Sequence, residues 1–344
     1  MDTKLSNTIV VFGMHRSGTS CIANILNEMG VRYCTDDDKA VAAAENRRGF
    51  WEHPLARCAC DTLLQGSGND WWAVRDFNTD SIPRLAKAQA REDVANLVKL
   101  LNTGGNWLVK EPRLCLVYPA WADLIPNPVG LMVWRDPIEV ALSLRKRNGF
   151  SLDFGIALWE LYTKSAFRVA ADMPLVIVSF NELLATPEKV VAQLSQDFRN
   201  IGVQGIEPGT AASAIDMKLI HSSANKNMHC LLPNAVLEMI KALKAKEINS
   251  PVLRSELSTE SALRLEDMES RESTRMTMQA QMTSVRKLED EVRRGRDLHA
   301  REKEAMDRFA KEVRRVDLMH RMLDHRLKEL KELEKKITDK LQGN

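Results

Sequence analysis

The last 90 residues restrict the folding of this chain more than any other segment. Residues 255–344 contain 21 Lys or Arg and 20 Asp or Glu, but no proline, tryptophan or cysteine. Charge at almost every second position leaves too few apolar residues for a globular core, and nothing in the segment breaks a helix. The sequence therefore predicts one long helix here.

A heptad repeat in this helix predicts that it self-associates. With Val285 at position a, twelve of the seventeen a and d positions between residues 285 and 341 are apolar. Apolar positions sustained over several heptads favour an intermolecular coiled coil over a lone charged helix held by i,i+4 ion pairs. The stretch Gly295–Glu302 is weakly apolar, and a local loosening of the coil is expected there. We therefore expect a homo-oligomer through a coiled coil of residues 278–344.

The remaining residues divide into a folded domain and a connection. All 12 prolines, 7 tryptophans and 6 cysteines lie at or before Pro251, so the composition changes near residue 251. This change predicts an α/β domain over residues 1–250 and a linker or short helix over residues 251–277.

Strands alternate with helices in the first 200 residues. The strands are short, continuously apolar runs, as in sheets covered on both faces, whereas the helices show a period of about 3.6 residues. The predicted strands are 8–12, Trp107–Val109, Val129–Trp134 and Leu175–Phe180, and the predicted helices are Thr19–Met29, Leu85–Leu101, Ile138–Arg147, Gly155–Ala171 and Pro187–Phe198. Residues 30–80 are expected to form an irregular functional loop region. This order predicts a three-layer α/β fold with a central parallel sheet, similar to P-loop proteins.

The first strand ends in a glycine turn that is typical of phosphate binding. Gly13-Met14-His15-Arg16-Ser17-Gly18-Thr19-Ser20 has the Gly-x4-Gly spacing of a P-loop, whose backbone N–H groups and helix dipole bind an anion. Nucleoside-triphosphate loops place a lysine where this chain has Thr19. The positive charge lies three residues earlier, at Arg16. The loop is suited to a phosphate but lacks the lysine that contacts a triphosphate.

A second phosphate site is predicted at the end of another strand. Arg135 directly follows the run VGLMVW, Pro137 suits the first turn of a helix, and Ser143 lies about two turns along that helix. An arginine and a hydroxyl at a strand end form a good phosphate clamp. Two phosphate sites on one sheet suggest a nucleotide with phosphates at both ends.

Composition excludes several other functions. A net charge of +2 argues against nucleic-acid binding, and no apolar run reaches 18 residues, so no transmembrane segment is expected. The six cysteines have no metal-ligand spacing, which favours buried thiols, no metal, and a cytoplasmic protein.

Several motifs together resemble the sulfotransferases that use 3′-phosphoadenosine 5′-phosphosulfate (PAPS), especially bacterial members with an RSGT loop. RSGTS at 16–20 is similar to the 5′-phosphosulfate loop, RDPIEVALS at 135–143 to the 3′-phosphate motif, and KEPR at 110–113 to the KDPR element, with Glu111 where Asp is usual. ENRRGFWE at 45–52 and VSFNELLATPEKV at 178–190 also look like family segments. The resemblance covers roughly residues 8–200 in order, and the C-terminal helix lies outside it.

The resemblance implies a PAPS-dependent sulfotransferase that modifies a carbohydrate hydroxyl. It implies that PAPS binds at one set of residues: Arg16, Ser17, Gly18, Thr19, Ser20, Arg135 and Ser143. Arg16 and Lys110 are then the groups that neutralise charge at the transferring sulfuryl group. The catalytic base remains open between Glu52, whose neighbours Phe50 and Trp51 would desolvate it, and Glu45, with His53 third.

Other residues near these motifs have weaker assignments. His15 is expected to shape the loop. Contact of Arg113 with substrate or cofactor and an internal salt bridge of Arg113 to the sheet edge are predicted with equal weight. Lys226, in the segment 221–227, is a candidate for the adenosine end. Trp71 and Trp72 are expected to pack in the fold and are not placed in the site.

Two further functions compete with this one. The first is a non-catalytic assembly module with a sulfotransferase-like fold, and the second is a P-loop kinase of a small metabolite. If the chain is a carbohydrate sulfotransferase, its acceptor is expected to be a bacterial surface glycan or glycolipid. Its helix could then hold it against a glycan-assembly partner at the inner membrane.

Overall fold

The computed structural model describes residues 6–33, 51–215 and 226–341. Its strands are β1 (Thr8–Phe12), β2 (Trp107–Lys110), β3 (Pro128–Trp134) and β4 (Leu175–Ser179). Its α-helices are α1 (Thr19–Glu28), α2 (Pro54–Gly66), α3 (Arg84–Leu101), α4 (Leu114–Val117), α5 (Pro137–Asn148), α6 (Leu152–Val169), α7 (Phe180–Ala185), α8 (Pro187–Asn200), α9 (Asn234–Lys244), α10 (Pro251–Arg254) and α11 (Thr259–Leu341).

The four strands form one parallel sheet in the order β2-β1-β3-β4. Alternate residues of β1 point to opposite faces: Val10 and Phe12 join one buried cluster, and Ile9 and Val11 join the other. Helices α2 to α6 and α9 contribute to the first cluster, whereas α1 and α8 contribute to the second. The predicted three-layer α/β fold with a central parallel sheet is confirmed.

The strand order places the carboxyl end of β1 at the functional position of the sheet. From β1 the chain moves to β2 on one side and later to β3 on the other, so β1 and β3 flank a topological switch point. In open parallel sheets, ligands bind outside the carboxyl ends of the strands at such a point. The loop Gly13–Ser20 lies there, with Lys110 at the end of β2 and Arg135 just after β3.

The predicted strands and helices agree with the structure to within a few residues, with one larger exception. Residues 54–66, expected to be part of an irregular region, form α2. His53 caps this helix through Nδ1, which accepts a hydrogen bond from the Leu55 N–H at 3.2 Å, and Pro54 occupies its first turn. The buried face of α2 carries small residues and leucines, Ala56, Ala59, Cys60, Leu63 and Leu64. A periodic face made partly of alanine and cysteine was not recognised as a helix face.

The chain divides into two compact units, residues 1–272 and 273–344. Helix α11 has 83 residues and contributes its first turns to the first unit. The second unit consists of the rest of that helix, which is unbroken through Gly295–Glu302. The predicted long C-terminal helix is confirmed. Residues 251–277, expected to be a linker or a short helix, contain α10 and the first turns of α11.

Candidate functional site

Two glycines shape the loop after β1 into a tight cradle. Gly18 has a φ of 91°, and a Cβ on it would lie 2.2 Å from the Phe180 ring. A Cβ on Gly13 would lie 2.5 Å from the carbonyl oxygen of Val133. Arg16, between them, has a φ of 71°, which is unusual for a residue with a side chain. The spacing Gly13-x4-Gly18 therefore reflects close approach of the loop to its neighbours.

The cradle has features that suit an anion. Among the described residues, no side chain caps the N-terminus of α1, whose dipole favours negative charge. Ser17 is only 1% exposed, and its Oγ is buried with no hydrogen-bond partner within the described part of the chain. A buried hydroxyl without a partner costs free energy unless a ligand satisfies it. Both observations fit a phosphate held by the loop.

The predicted second clamp joins the first one. Nε of Arg16 donates to Oγ of Ser143 at 2.9 Å, so the hydroxyl of α5 faces the loop arginine. Arg135 donates from a terminal nitrogen to the carbonyl oxygen of Arg16 at 3.4 Å and forms a 2.7 Å ion pair with Glu139. The guanidinium of Arg135 also lies over the Phe180 ring, 5.4 Å from its centre. The structure thus brings Arg16, Arg135 and Ser143 into one cluster between β1 and β3.

The residue after Arg135 connects this cluster to two later segments. Asp136 caps α5 by accepting a hydrogen bond from the Ile138 N–H at 2.9 Å, and its own N–H donates to Oδ1 of Asn181 at 3.0 Å. Nε2 of His229 lies 2.7 Å from Oδ2 of Asp136. The segment 226–231 is therefore fixed against the start of α5, beside the predicted 3′-phosphate clamp.

On the other side of β1, Lys110 and Glu52 form a buried pair. Nζ of Lys110 lies 2.7 Å from Oε1 of Glu52, and the two side chains are 1% and 16% exposed. Lys110 ends β2, and its neighbour across the sheet is Val11 in β1. The pair therefore lies beside the phosphate loop, on the opposite side from Arg135. Two candidate catalytic groups predicted from distant parts of the sequence are in direct contact.

His15 occupies the loop position before Arg16 and is surrounded by cations. Burial lowers its pKa well below the ordinary value of 6.5, and the charges of Arg147, Arg113, Lys110 and Arg16 lower it further. Its ring packs on Trp71 with a centroid distance of 4.6 Å. The imidazole is therefore neutral at pH 7. This geometry agrees with the expectation that His15 shapes the loop.

Buried polar residues behind the loop have structural partners. Arg113 forms ion pairs with Asp61 and with Glu111, the latter at 2.9 Å, which is the internal salt bridge considered from the sequence. Burial raises the pKa of Cys60 well above its ordinary value and raises that of Cys115 to about 12, so both remain protonated thiols. The thiol of Cys115 accepts a hydrogen bond from the Gly13 N–H at 3.3 Å. These groups support the loop.

The remaining predicted residues lie in different places. Thr19 and Ser20 begin α1 directly after the loop. Glu45 and residues 221–225 lie outside the described residues. Lys226 begins a short 3-10 helix, but its side chain also lies outside the described part of the structure. Nδ1 of His53 caps α2 by accepting a hydrogen bond from the Leu55 N–H, so this nitrogen has a structural partner. Trp71 and Trp72 are expected from the sequence only to pack in the fold. In the structure, the ring of Trp71 contacts His15 of the loop, and the guanidinium of Arg147 lies 5.1 Å from the centre of the Trp71 ring.

Three contacts at the site were not foreseen: those of His229, Asn181 and Phe180. Asn181 and Phe180 lie in VSFNELLATPEKV, a segment noted only for its resemblance. The Asp136-Pro137 pair is a recognisable helix start, and its cap could have been predicted. The His229 contact joins residues 93 positions apart, which no local pattern can indicate.

In the described parts of the chain, no group of three or more His, Cys, Asp or Glu is placed to hold a metal ion. None of the helices in those parts is both long enough and apolar enough to cross a membrane.

No family model and no curated protein matches this chain. Among solved structures, it is similar to the sulfotransferase domain from the curacin biosynthetic pathway, at 14% identity over 77% of this chain and 98% of that one, with a TM-score of 0.37. A sulfotransferase from Mycobacterium avium matches at 14% identity over 72% and 77% of the two chains, with a TM-score of 0.39. A retinol dehydratase in complex with androsterone and the inactive cofactor PAP matches at 11% identity over 72% and 83%, with a TM-score of 0.33.

Proposed function

We propose that this protein is a sulfotransferase that moves a sulfuryl group from PAPS to a hydroxyl group of a carbohydrate. The observation that carries this proposal is the arrangement of three cations around one loop. Arg16 lies in the loop after β1, Arg135 follows β3 on one side, and Lys110 ends β2 on the other side. Such a site offers two anion-binding positions and a further positive charge between the nucleotide and its acceptor.

The loop residues fit the donor nucleotide. Within the described part of the chain, the buried Ser17 hydroxyl has no hydrogen-bond partner and no side chain caps the N-terminus of α1. The Gly18 backbone also passes close to Phe180. Arg16 and the backbone of residues 17–20 would bind the 5′-phosphate, and Arg135 with Ser143 would bind the 3′-phosphate. When bound, the nucleotide supplies an activated sulfuryl group on its 5′-phosphate.

The protein's contribution to transfer is positioning and charge neutralisation. Arg16 lies next to the 5′ position and stabilises negative charge on the leaving oxygen. Lys110, at the adjacent strand end, stabilises charge on the group in transfer. Both side chains are held by hydrogen bonds, Arg16 to Ser143 and Lys110 to Glu52, so little reorganisation is needed when the reaction occurs.

Glu52 is the base that this geometry favours. Oε1 of Glu52 is bound by Lys110, which fixes the carboxylate beside the predicted sulfuryl position. Its other oxygen can accept the proton of an acceptor hydroxyl while the pair with Lys110 persists. Transfer to Glu52 balances the proton lost by the hydroxyl as its oxygen bonds to sulfur.

An aromatic surface beside Glu52 supports a carbohydrate acceptor. Trp51 is partly buried, and its ring packs on Tyr33 with a centroid distance of 4.4 Å. A sugar ring can lie on such a face while its hydroxyl reaches the adjacent carboxylate. We further propose that the acceptor is a bacterial surface glycan or glycolipid, and that the protein acts in the cytoplasm beside a membrane-bound glycan-assembly partner.

Transfer of radiolabelled sulfate from PAPS to a glycan extract tests this function. We expect Glu52→Gln to reduce kcat by about 100-fold or more while donor binding persists, because only the base is lost. The matched control is Arg91→Gln, which removes a cation of α3 from its exposed pair with Asp123 and should leave transfer unchanged. No labelled product with the wild type, or wild-type kcat in Glu52→Gln, would contradict the proposal. Magnesium-dependent ATP consumption in the same extract would indicate the kinase instead.

A further inference from the structure

The long helix carries a stripe of apolar side chains that nothing in its own chain covers within the described residues. The a and d side chains are more than half exposed: Val285 52%, Leu288 60%, Val292 54%, Met306 66%, Phe309 67%, Val313 51%, Val316 52%, Leu323 64%, Leu327 54% and Leu330 62%. An apolar stripe of this length marks an interaction surface, although polar residues interrupt it between Gly295 and Glu302 and again at His320 and Glu334. Its 3.5-residue spacing fits another helix with the same repeat.

We propose that α11 pairs with α11 of a second copy of this chain in an antiparallel coiled coil with one defined register. In this register, the numbers of two core residues that lie opposite each other add up to 622. Met306 of one copy therefore lies opposite Val316 of the other, and Phe309 opposite Val313. Position a meets position d in each layer, as an antiparallel pair requires.

The polar residues of the core favour this orientation. In a parallel pair in register, each a or d residue meets its own copy, so Glu302 would face Glu302 and Glu334 would face Glu334. In the antiparallel register, Glu302 lies opposite His320 of the second copy, and Glu334 lies opposite Leu288. The antiparallel orientation therefore avoids two core layers in which glutamates would face each other, and it gives Glu302 a hydrogen-bonding partner.

The charged residues at the flanking e positions select the same register. Three pairs of opposite charge face each other, and the two-fold symmetry repeats each one: Glu289 with Lys331, Arg296 with Asp324, and Lys303 with Asp317. The g positions contribute one unfavourable contact, between the two copies of Glu312 at the centre. Asp317 also pairs with Arg321 of its own helix at 2.8 Å. Attractive contacts thus outnumber repulsive ones.

Other arrangements place like charges together. In a parallel pair, Glu312 would face Asp317, and Arg326 would face Lys331. An antiparallel shift of one heptad in one direction sets Arg296 against Lys331. The opposite shift sets Glu289 against Asp324. Of these three antiparallel registers, only the proposed one has no like-charged e pair.

Disulfide trapping tests both orientation and register in the full-length protein. The double variant Met306→Cys/Val316→Cys, oxidised and digested with trypsin, should give a peptide that links residue 306 of one chain to residue 316 of another. The two positions are about 15 Å apart along one helix, so the link cannot form within a chain. Arg308 lies between them, so trypsin separates the two positions and mass spectrometry identifies the bond even with the native cysteines present.

The two single variants are the controls. Neither Met306→Cys nor Val316→Cys should link to its own copy, because each faces the other position. Links from 306 to 306 and from 316 to 316 would show a parallel pair. Links absent from all three variants, together with a monomeric mass by light scattering, would show that the stripe does not self-associate. Either result overturns the proposal.

A charge exchange gives an independent test that does not depend on cysteine. Arg296→Asp should raise the dimer dissociation constant about tenfold, because two attractive contacts become repulsive. Adding Asp324→Arg to it should restore most of the affinity. In a parallel pair, position 296 faces Glu291 and position 324 faces Met319, so the second change would restore nothing and the proposal would fail.

Discussion

The imidazole of His15, in the loop Gly13–Ser20, is influenced by the charges of four cationic side chains. Its pKa is lowered well below 6.5, first by burial and then by those charges. In the unfolded chain the ring binds a proton near pH 6.5, whereas in the folded protein it does so only at lower pH. The unfolded state therefore binds more protons over this interval, and folding stability falls as the pH falls below about 6.5.

Replacing His15 should remove this pH dependence. We expect His15→Gln to lose less stability than the wild type between pH 7.5 and 5.5, with a difference of at most about 1.4 kcal/mol per pH unit. Urea unfolding at several pH values measures it. Because six other histidines are present in both proteins, only the difference between the two proteins is assigned to His15. Parallel stability curves would show that His15 does not carry the effect.

The sequence predicts which residues belong to the candidate site, but it does not predict which of them contact one another. Arg16, Arg135 and Lys110 can be singled out because each lies at or just after the carboxyl end of a strand, and parallel strands end at one edge of the sheet. The contact between Lys110 and Glu52 could not be foreseen, since 58 residues separate them and no regular element sets their distance. The helix-capping role of His53 could not be predicted either, because a histidine close in sequence to Glu45 and Glu52 indicates a catalytic residue first.

Among the elements, helix α6 connects the site to the start of the long helix. Trp159 of α6 donates to the carbonyl oxygen of Arg135 at 3.0 Å, and Tyr162 donates to that of Trp71 at 2.5 Å. The next residue along α6 from Trp159 is Glu160, which is fully buried. It accepts hydrogen bonds from the N–H and Oγ of Ser258 and from Oγ of Ser261, at 2.6–2.9 Å. The start of α11 is thus fixed by the helix that also supports the site.

Glu160 stabilises the fold as a charged carboxylate. Burial raises its pKa, but hydrogen bonds from Lys164, Ser261 and Ser258 outweigh burial and hold that pKa below the ordinary value. Its ion pair with Lys164 spans 2.8 Å, and both side chains are almost fully buried. Since its folded-state pKa is lowered, this contribution is present at neutral pH and is lost as the pH falls below about 4.5.

Glu160→Gln should therefore destabilise the folded protein by about 3–5 kcal/mol, because it leaves the buried Lys164 ammonium without a counter-charge. Urea unfolding of the full-length chain measures this loss. The matched control is Glu256→Gln, which breaks an exposed pair with Arg168 and should change stability by no more than about 1 kcal/mol. Equal effects of the two substitutions would contradict a special role for the buried carboxylate.

The sheet and most helices could be predicted from the sequence because burial leaves a clear pattern. Continuously apolar runs such as TIVVF occur where both faces of a strand are covered. The predicted strand Leu175–Phe180 was one residue too long, since Ser179 caps α7 and Phe180 begins it. Helix α2 was missed because alanine and cysteine make up much of its buried face. The start of α11 was unclear because its first turns pack on the α/β unit without following the heptad repeat.

At the scale of the whole molecule, the chain consists of an α/β unit and a charged helix that contains few buried residues of its own. An isolated helix of this composition is stabilised mainly by weak i,i+4 ion pairs. Association with another helix should therefore supply most of the stability of α11. The unfolding temperature of such a helix depends on protein concentration, because dissociation accompanies unfolding.

We therefore expect the helical signal of the full-length protein to melt at a temperature that rises roughly 5 °C for each tenfold increase in concentration. Far-ultraviolet circular dichroism measures the transition. Val313→Glu, which places a charge at the centre of the stripe, should lower this temperature. A melting temperature that is the same at every concentration would argue against association.

Isothermal titration calorimetry with 3′-phosphoadenosine 5′-phosphate measures nucleotide binding at the proposed site. The wild type and the control Arg91→Gln should both bind this nucleotide without magnesium. Arg135→Ala should bind at least about tenfold more weakly, because the arginine bound to the 3′-phosphate is lost. No binding by the wild type, or equal affinity in Arg135→Ala, would contradict the assignment of the site.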